Sequence, residues 1–272
     1  MKQIIMTLAL ALSMSVAGTT TASSAALQSA QAASVQPGEA ARPLLVLIEA
    51  DPWASVVGAD SPRLALYDDG VIIYRKDGAY RAARLAAGEV ESFMSALQPE
   101  ALTELAGAYS ISEWTDQPTT DIFLLRDGRY LQVQVYGSMD PAAPKLDGVS
   151  FADPARLPHP LLEAYRRMVA FDPDGAVVWS PEAIEVMIWP YEYAPEESIV
   201  WPAHWPGLSD PETRQRGDDY SLFVPASEGA ALRSFLQGRR QRGAVLIDGR
   251  KWAVSTRLPF PKEEEWMALG AE

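Results

Sequence analysis

The chain has 272 residues, 48% of them hydrophobic, with 23 Lys and Arg against 36 Asp and Glu, two His and no Cys. That composition belongs to a globular chain and excludes global disorder and collagen-like repeats. Without Cys there is no disulfide, Cys-ligated zinc, iron–sulfur cluster, cysteine nucleophile or lipid-modified N-terminal Cys, and two His leave little room for a His-rich metal centre.

The N-terminus carries one charge, Lys2, followed by an apolar run from Ile4 to Ala17 and the small polar stretch Gly18-Thr19-Thr20-Thr21. This is the layout of a secretory signal, and the run falls short of the roughly 20 residues that span a bilayer. Ala30-Gln31-Ala32 supplies an A-x-A cleavage site, with Ser23-Ser24-Ala25 as an earlier alternative. Residues 1–32 are therefore read as a signal peptide, and the compartment as periplasmic or extracellular. Cleavage leaves 240 residues with 22 basic and 36 acidic side chains, a net charge of −14. So acidic a chain is a poor partner for nucleic acid or anionic lipid. No later segment is long and apolar enough for an integral membrane span, so the mature chain is expected to have none.

Residues 33–43 read as a flexible leader and Leu44–Ile48 as the first regular segment, with irregular chain around Trp53. Strands follow at Leu64–Tyr67 and Val71–Tyr74, around Asp68-Asp69-Gly70, and at Tyr80–Leu85 after Asp77-Gly78. Asp-Gly occurs six times, at Asp69, Asp77, Asp127, Asp147, Asp174 and Asp248. The pair tolerates the positive φ of tight hairpins, so copies flanked by apolar alternation predict antiparallel hairpins. Val90, Phe93, Met94 and Leu97 mark a helix over 88–98, and Pro99 opens a second short one. Ile122–Leu125 and Tyr130–Tyr136 form a hairpin. In its second strand Leu131, Val133 and Val135 share one face and Gln132 and Gln134 the other, which predicts a sheet covered on one side. Pro160 opens a helix with Leu161, Tyr165, Met168 and Val169 inward.

After the turn Asp172-Pro173-Asp174-Gly175 come a strand at Ile184–Ile188 and a Trp/Pro-rich loop over 190–217. A strand at Tyr220–Val224 follows. A helix capped by Ser227, with Leu232, Phe235 and Leu236 inward, precedes a closing hairpin at Val245–Ile247 and Trp252–Thr256. The fold class is α+β: antiparallel sheets with Asp-Gly hairpins and a few amphipathic helices. A first module spans 44–172, a second 176–262, and 263–272 forms an acidic tail. Asp127-Gly128-Arg129 and Asp248-Gly249-Arg250 follow a helix in both halves, consistent with two related modules or with the commonness of that unit.

The block Leu66-Tyr67-Asp68-Asp69-Gly70-Val71-Ile72-Ile73-Tyr74 resembles a strand–turn–strand of exported bacterial proteins without an assigned activity. Trp201-Pro202-Ala203-His204-Trp205-Pro206-Gly207 is similar to a segment of such proteins. The resemblance implies export and carries no activity, cofactor or catalytic residue.

Catalytic signatures are absent. There is no G-x-S-x-G elbow, H-E-x-x-H, G-x-G-x-x-G or Walker A loop, so no metal and no cofactor are expected. Asp172–Gly175 fails as a calcium loop, because the glycine and the closing acid fall at the wrong positions. Arg239-Arg240-Gln241-Arg242 sits at a helix C-terminus, where cations offset the dipole. The outlier is the aromatic segment: four of the eight Trp lie between 179 and 205. Trp189, Tyr191, Tyr193, Trp201, His204 and Trp205 form the candidate ligand-binding set, stiffened by Pro190, Pro195, Pro202 and Pro206. The opposing reading folds these rings inward as the loop's own core. The leading expectation is a non-catalytic exported binding module whose partner is a protein or an envelope glycan. The alternatives are an envelope hydrolase using His204, Glu192, Asp218 or Asp219, and a purely structural module.

Overall fold

A computed structural model describes residues 35–267 apart from 57, 141–142, 144 and 147–148. Residues 1–34, which hold the expected signal peptide and the start of the expected leader, and residues 268–272 lie outside the described residues, as does the Asp147-Gly148 turn. The strands run β1 (Pro43–Ala50), β2 (Leu64–Tyr67), β3 (Val71–Lys76), β4 (Ala79–Arg84), β5 (Gly107–Ser110), β6 (Thr119–Arg126), β7 (Arg129–Tyr136), β8 (Lys145–Leu146), β9 (Val149–Ser150) and β10 (Val177–Val178). They continue as β11 (Ala183–Pro190), β12 (Glu196–Val200), β13 (Arg214–Arg216), β14 (Asp219–Pro225), β15 (Gly243–Ile247) and β16 (Arg250–Arg257). The helices are α1 (Ala87–Ala96), α2 (Pro99–Glu104), α3 (His159–Ala170), α4 (Gly229–Gln237) and α5 (Glu264–Met267).

The fold is α+β. Eight strands form one sheet in the order β10-β4-β3-β2-β1-β6-β7-β5, six form a second in the order β12-β15-β16-β11-β14-β13, and β8 and β9 pair alone. Both large sheets are antiparallel except at one place each, where β5 runs parallel to β7 and β12 parallel to β15. Asp77-Gly78, Asp127-Gly128 and Asp248-Gly249 all have both φ values positive, the geometry that matches strand twist in a two-residue hairpin. The two Asp-Gly-Arg hairpins differ in neighbours. The parallel partner lies beside the second strand of the first hairpin and the first strand of the second.

The first sheet is covered on both faces. On one face Leu45, Leu47, Leu64, Leu66, Ile122 and Val133 pack under α1–α3 through Phe93, Leu97, Leu102, Leu161, Tyr165 and Met168. On the other, Val46, Ala65, Tyr67, Ile73 and Phe123 lie under Trp179, Phe260 and Trp266. Burial on both sides explains why β1–β3 are continuous apolar runs. It also corrects the one-sided sheet expected from β7: the C-terminal segment covers the centre, and only the Gln132/Gln134 end of that face stays polar. The stretch read as an acidic tail begins with a folded turn. Glu263 pairs with Arg257, Glu265 with Arg42 at 2.9 Å, and Trp266 is fully buried. An acidic run reads as solvated, but each of these two carboxylates meets an arginine brought from elsewhere in the chain.

The second sheet packs one face on α4 and buries Val186, Ile188, Leu222, Val224, Val245 and Trp252. Its other face meets the chain between β1 and β2. The Val56 N–H donates to Ser255 Oγ (3.0 Å), and Leu258 N–H to Ser61 Oγ (2.6 Å). The buried Arg257–Glu185 pair (2.7 Å) lies on this face. Two expectations change here. Residues 190–217 are not one irregular loop, since they contain β12 and β13. Ser227 does not cap α4. It lies within a short 3-10 turn, Ala226–Glu228, that precedes the helix. No helix among the described residues is long and apolar enough to cross a membrane.

Candidate functional site

The aromatic set from the second half does not form one surface. Trp201 and Trp205 are 7% and 6% exposed and pack edge-to-face on each other (4.9 Å) and on Phe235 of α4. The Trp201 indole N–H donates to the Pro206 carbonyl at 3.0 Å. These rings are the core of the segment, and their faces are spent on protein. Trp189 and Tyr191 are half-buried, and Tyr193, 82% exposed, leans edge-on against Tyr191 at 5.0 Å. His204 is exposed beside a shallow hollow that it shares with Ser209, Asp210 and Glu212.

The acid–base candidates do not converge either. Glu192 pairs with Arg250 at 3.6 Å, and Asp218 and Asp219 sit at the β13–β14 turn. Among the described residues no hydrogen bond joins His204 to any of these three acids, and no group of three or more His, Asp or Glu is placed to hold a metal ion.

The exposed indoles are elsewhere. Trp53 is 74% exposed and Trp114 53%. They lie on loops leaving the same end of the first sheet: Ala50, the last residue of β1, pairs with Thr119, the first of β6. The end of β7 joins them, since Tyr136 also pairs with Thr119. Together these loops enclose a pocket of about 370 Å³, lined by Trp53, Asp51, Asp116, Thr120, Ser138 and the arginines Arg63 and Arg75, among others.

Local chemistry fixes each loop. Asp51 Oδ1 accepts the Trp53 N–H at 2.9 Å, an Asx turn, and Pro52 between them fixes φ. The Asp51 N–H donates to Asp60 Oδ1 at 3.3 Å. Burial raises the Asp60 carboxyl above its ordinary value, with that hydrogen bond opposing. On the second loop, the Trp114 N–H donates to Ser112 Oγ (3.1 Å) and its carbonyl accepts the Tyr136 hydroxyl (2.9 Å). The Trp114 ring stands edge-on to Phe151 at 5.5 Å. Both indoles are thus exposed on anchored backbone.

Behind the pocket Glu49 is held by three groups. Arg63 Nη1 reaches both its oxygens (2.7 and 3.0 Å), Tyr165 donates at 2.7 Å, and Arg75 Nη2 lies 3.9 Å away. Burial, and then the Glu49 charge, push the Tyr165 phenol up, so it stays a donor. The pocket therefore offers donors (Arg63, held by Glu49, and Arg75), hydroxyls (Thr120, Ser138), acceptors (Asp51, Asp116) and an apolar plate.

Sequence reading passed over Trp53 and Trp114 because each is a lone Trp in an irregular stretch. The signal was present: Asp51-Pro52-Trp53 and Glu113-Trp114-Thr115-Asp116 place an indole among turn-forming acids with no apolar periodicity to bury it. The denser Trp cluster drew attention because of its number, and number is what builds a core. The chain matches no family model, no curated protein and no solved structure.

Proposed function

We propose that this chain is an exported, non-catalytic binding protein whose pocket at the end of the first sheet takes an envelope glycan. The observation that carries the reading is Trp53: an indole 74% exposed, held by an Asx turn at a pocket of about 370 Å³ with both donors and acceptors in its lining. The held indole sets an apolar plate beside the pocket's hydrogen-bonding groups. A sugar ring suits that surface, because its C–H face stacks on an indole while its hydroxyls accept and donate in turn. Export rests on the N-terminal signal layout. The separation of His204, Glu192, Asp218 and Asp219 counts against hydrolysis by those four residues.

The test is an array of soluble bacterial oligosaccharides probed with wild type and Trp53→Ala. Binding to at least one oligosaccharide, lost at least tenfold in the variant at unchanged thermal stability, supports the reading. An array without a hit, or a hit that Trp53→Ala leaves intact, overturns it.

A further inference from the structure

The charges of the Trp53 pocket are unequal. Four carboxylates line it, Glu49, Asp51, Asp116 and Asp140, against two arginines, Arg63 and Arg75. How these charges are already matched decides what charge a ligand can bring.

Both arginines are engaged. Arg63 Nη1 bonds both oxygens of Glu49 (2.7 and 3.0 Å), and the Asp140 charge acts on the same guanidinium. Arg75 Nη2 lies 3.9 Å from Glu49. Its charge also favours the ionised form of Asp60, which accepts the Asp51 N–H behind the loop.

Asp51 and Asp116 differ from the other two acids. Neither makes an ion pair among the described residues. Asp51 accepts the Trp53 N–H on Oδ1 (2.9 Å), so carboxylate and indole belong to one turn. Asp116 comes from the facing loop, at a φ of 57° that Asp and Asn tolerate. The chain on either side of it is tied to one phenol: the Tyr136 hydroxyl donates to the Trp114 carbonyl (2.9 Å) and accepts the Gln117 N–H (3.2 Å).

The pocket thus presents an indole 74% exposed beside two carboxylates that no cation meets. Such a surface recognises an ammonium. The ring quadrupole attracts a cation over its face, and each carboxylate accepts a charge-assisted hydrogen bond from it. A ligand carboxylate or phosphate would instead face four acids with both arginines already engaged, and like charges brought together oppose binding.

We propose, on the glycan reading above, that the pocket selects a sugar with a free amino group, an unacetylated amino sugar. Its ring covers Trp53 and its ammonium meets Asp51 and Asp116.

The test is isothermal titration calorimetry at about pH 6, where a sugar amine is charged, on the chain from residue 33 onward. Three probes are compared: a tetramer of glucosamine, the same tetramer fully N-acetylated, and tetralysine. The glucosamine tetramer is expected to bind at least tenfold more tightly than either of the others. Asp116→Asn keeps a residue that tolerates the left-handed backbone, and it should weaken the glucosamine tetramer at least fivefold while leaving the acetylated one unchanged. Equal binding of the two tetramers overturns the proposal and leaves the glycan reading standing. Tetralysine binding as tightly as the glucosamine tetramer overturns it too, since that is adhesion of any cation to an acidic chain. So does an Asp116→Asn variant that binds the glucosamine tetramer as wild type does. A glucosamine tetramer that does not bind also overturns it, whereas the glycan reading falls only if the oligosaccharide array is blank as well.

Discussion

Truncating Trp201 to Ala removes an indole that is 7% exposed and touches Trp205 and Phe235 edge-to-face. A buried Trp covers about 150–250 Å², so at about 25 cal/mol per Å² the area alone is worth roughly 4–6 kcal/mol, less what Ala still buries. The two ring contacts add about 0.5–1.5 kcal/mol each, and the lost N–H to Pro206 about 1 kcal/mol. Collapse of the surroundings returns part of this, and buried Trp→Ala changes fall at about 3–5 kcal/mol. At roughly 2–4 °C per kcal/mol, a loss of about 4 kcal/mol lowers Tm by roughly 8–16 °C. Trp53→Ala removes a ring 74% exposed, and such surface changes stay within about 0.5 kcal/mol. Urea titration followed by far-ultraviolet circular dichroism measures both. A Trp201→Ala variant within about 1 kcal/mol of wild type, or a Trp53→Ala variant as damaged as Trp201→Ala, would refute the assignment of core and surface.

Three further outcomes follow from single sites. Gly70→Ala places a Cβ 2.4 Å from the Leu85 carbonyl oxygen at φ +85°, whereas Gly128→Ala at φ +77° meets nothing within 4 Å. Thermal melts should show Gly128→Ala costing about 1–2 kcal/mol and Gly70→Ala clearly more. Burial alone would raise the Asp69 carboxyl, but the Gly38 and Val71 N–H groups and Arg84 hold it below the ordinary range. A depressed folded value contributes stability above the unfolded pKa of about 3.9 that is lost as pH falls through the folded one. The stability gap between wild type and Asp69→Asn should therefore shrink on going from pH 6 to pH 2 in urea titrations. Arg257→Met removes the partner of Glu263 and the nearer partner of the buried Glu185, which keeps only Arg216 at 3.5 Å, and should cost about 3–5 kcal/mol by chemical denaturation, with Glu185→Gln in the same chain restoring part of it.

Local chemistry made much of the fold legible. The Asp-Gly pairs at 77, 127 and 248 turn where their flanking alternation predicts, and the spacing of Phe93, Leu97, Leu161, Tyr165 and Met168 marks real buried helix faces. What local pattern could not supply was long-range covering. Nothing near Gln132 and Gln134 reports that residues 258–267 return to seal the first sheet. Nothing near Glu263 or Glu265 reports that Arg257 and Arg42 await them. The parallel β12 strand was hidden for the same reason: its partner β15 lies more than 40 residues on, and Glu196-Glu197-Ser198 lacks apolar alternation. The same limit left two readings of the aromatic segment open. Trp201 and Trp205 are proline-flanked and dense, which suits a rigid platform and a packed plug equally, and only the position of Phe235 decides between them. Trp53 shows the converse, a lone ring whose exposure depends on a turn fixed by Asp51.

The most direct test of the central claim is co-sedimentation of the chain from residue 33 onward with purified peptidoglycan sacculi, wild type beside Trp53→Ala. The account predicts that wild type pellets with the glycan, that Trp53→Ala stays at least tenfold more in the supernatant, and that the variant melts at the wild-type temperature. Equal pelleting of wild type and Trp53→Ala would contradict it.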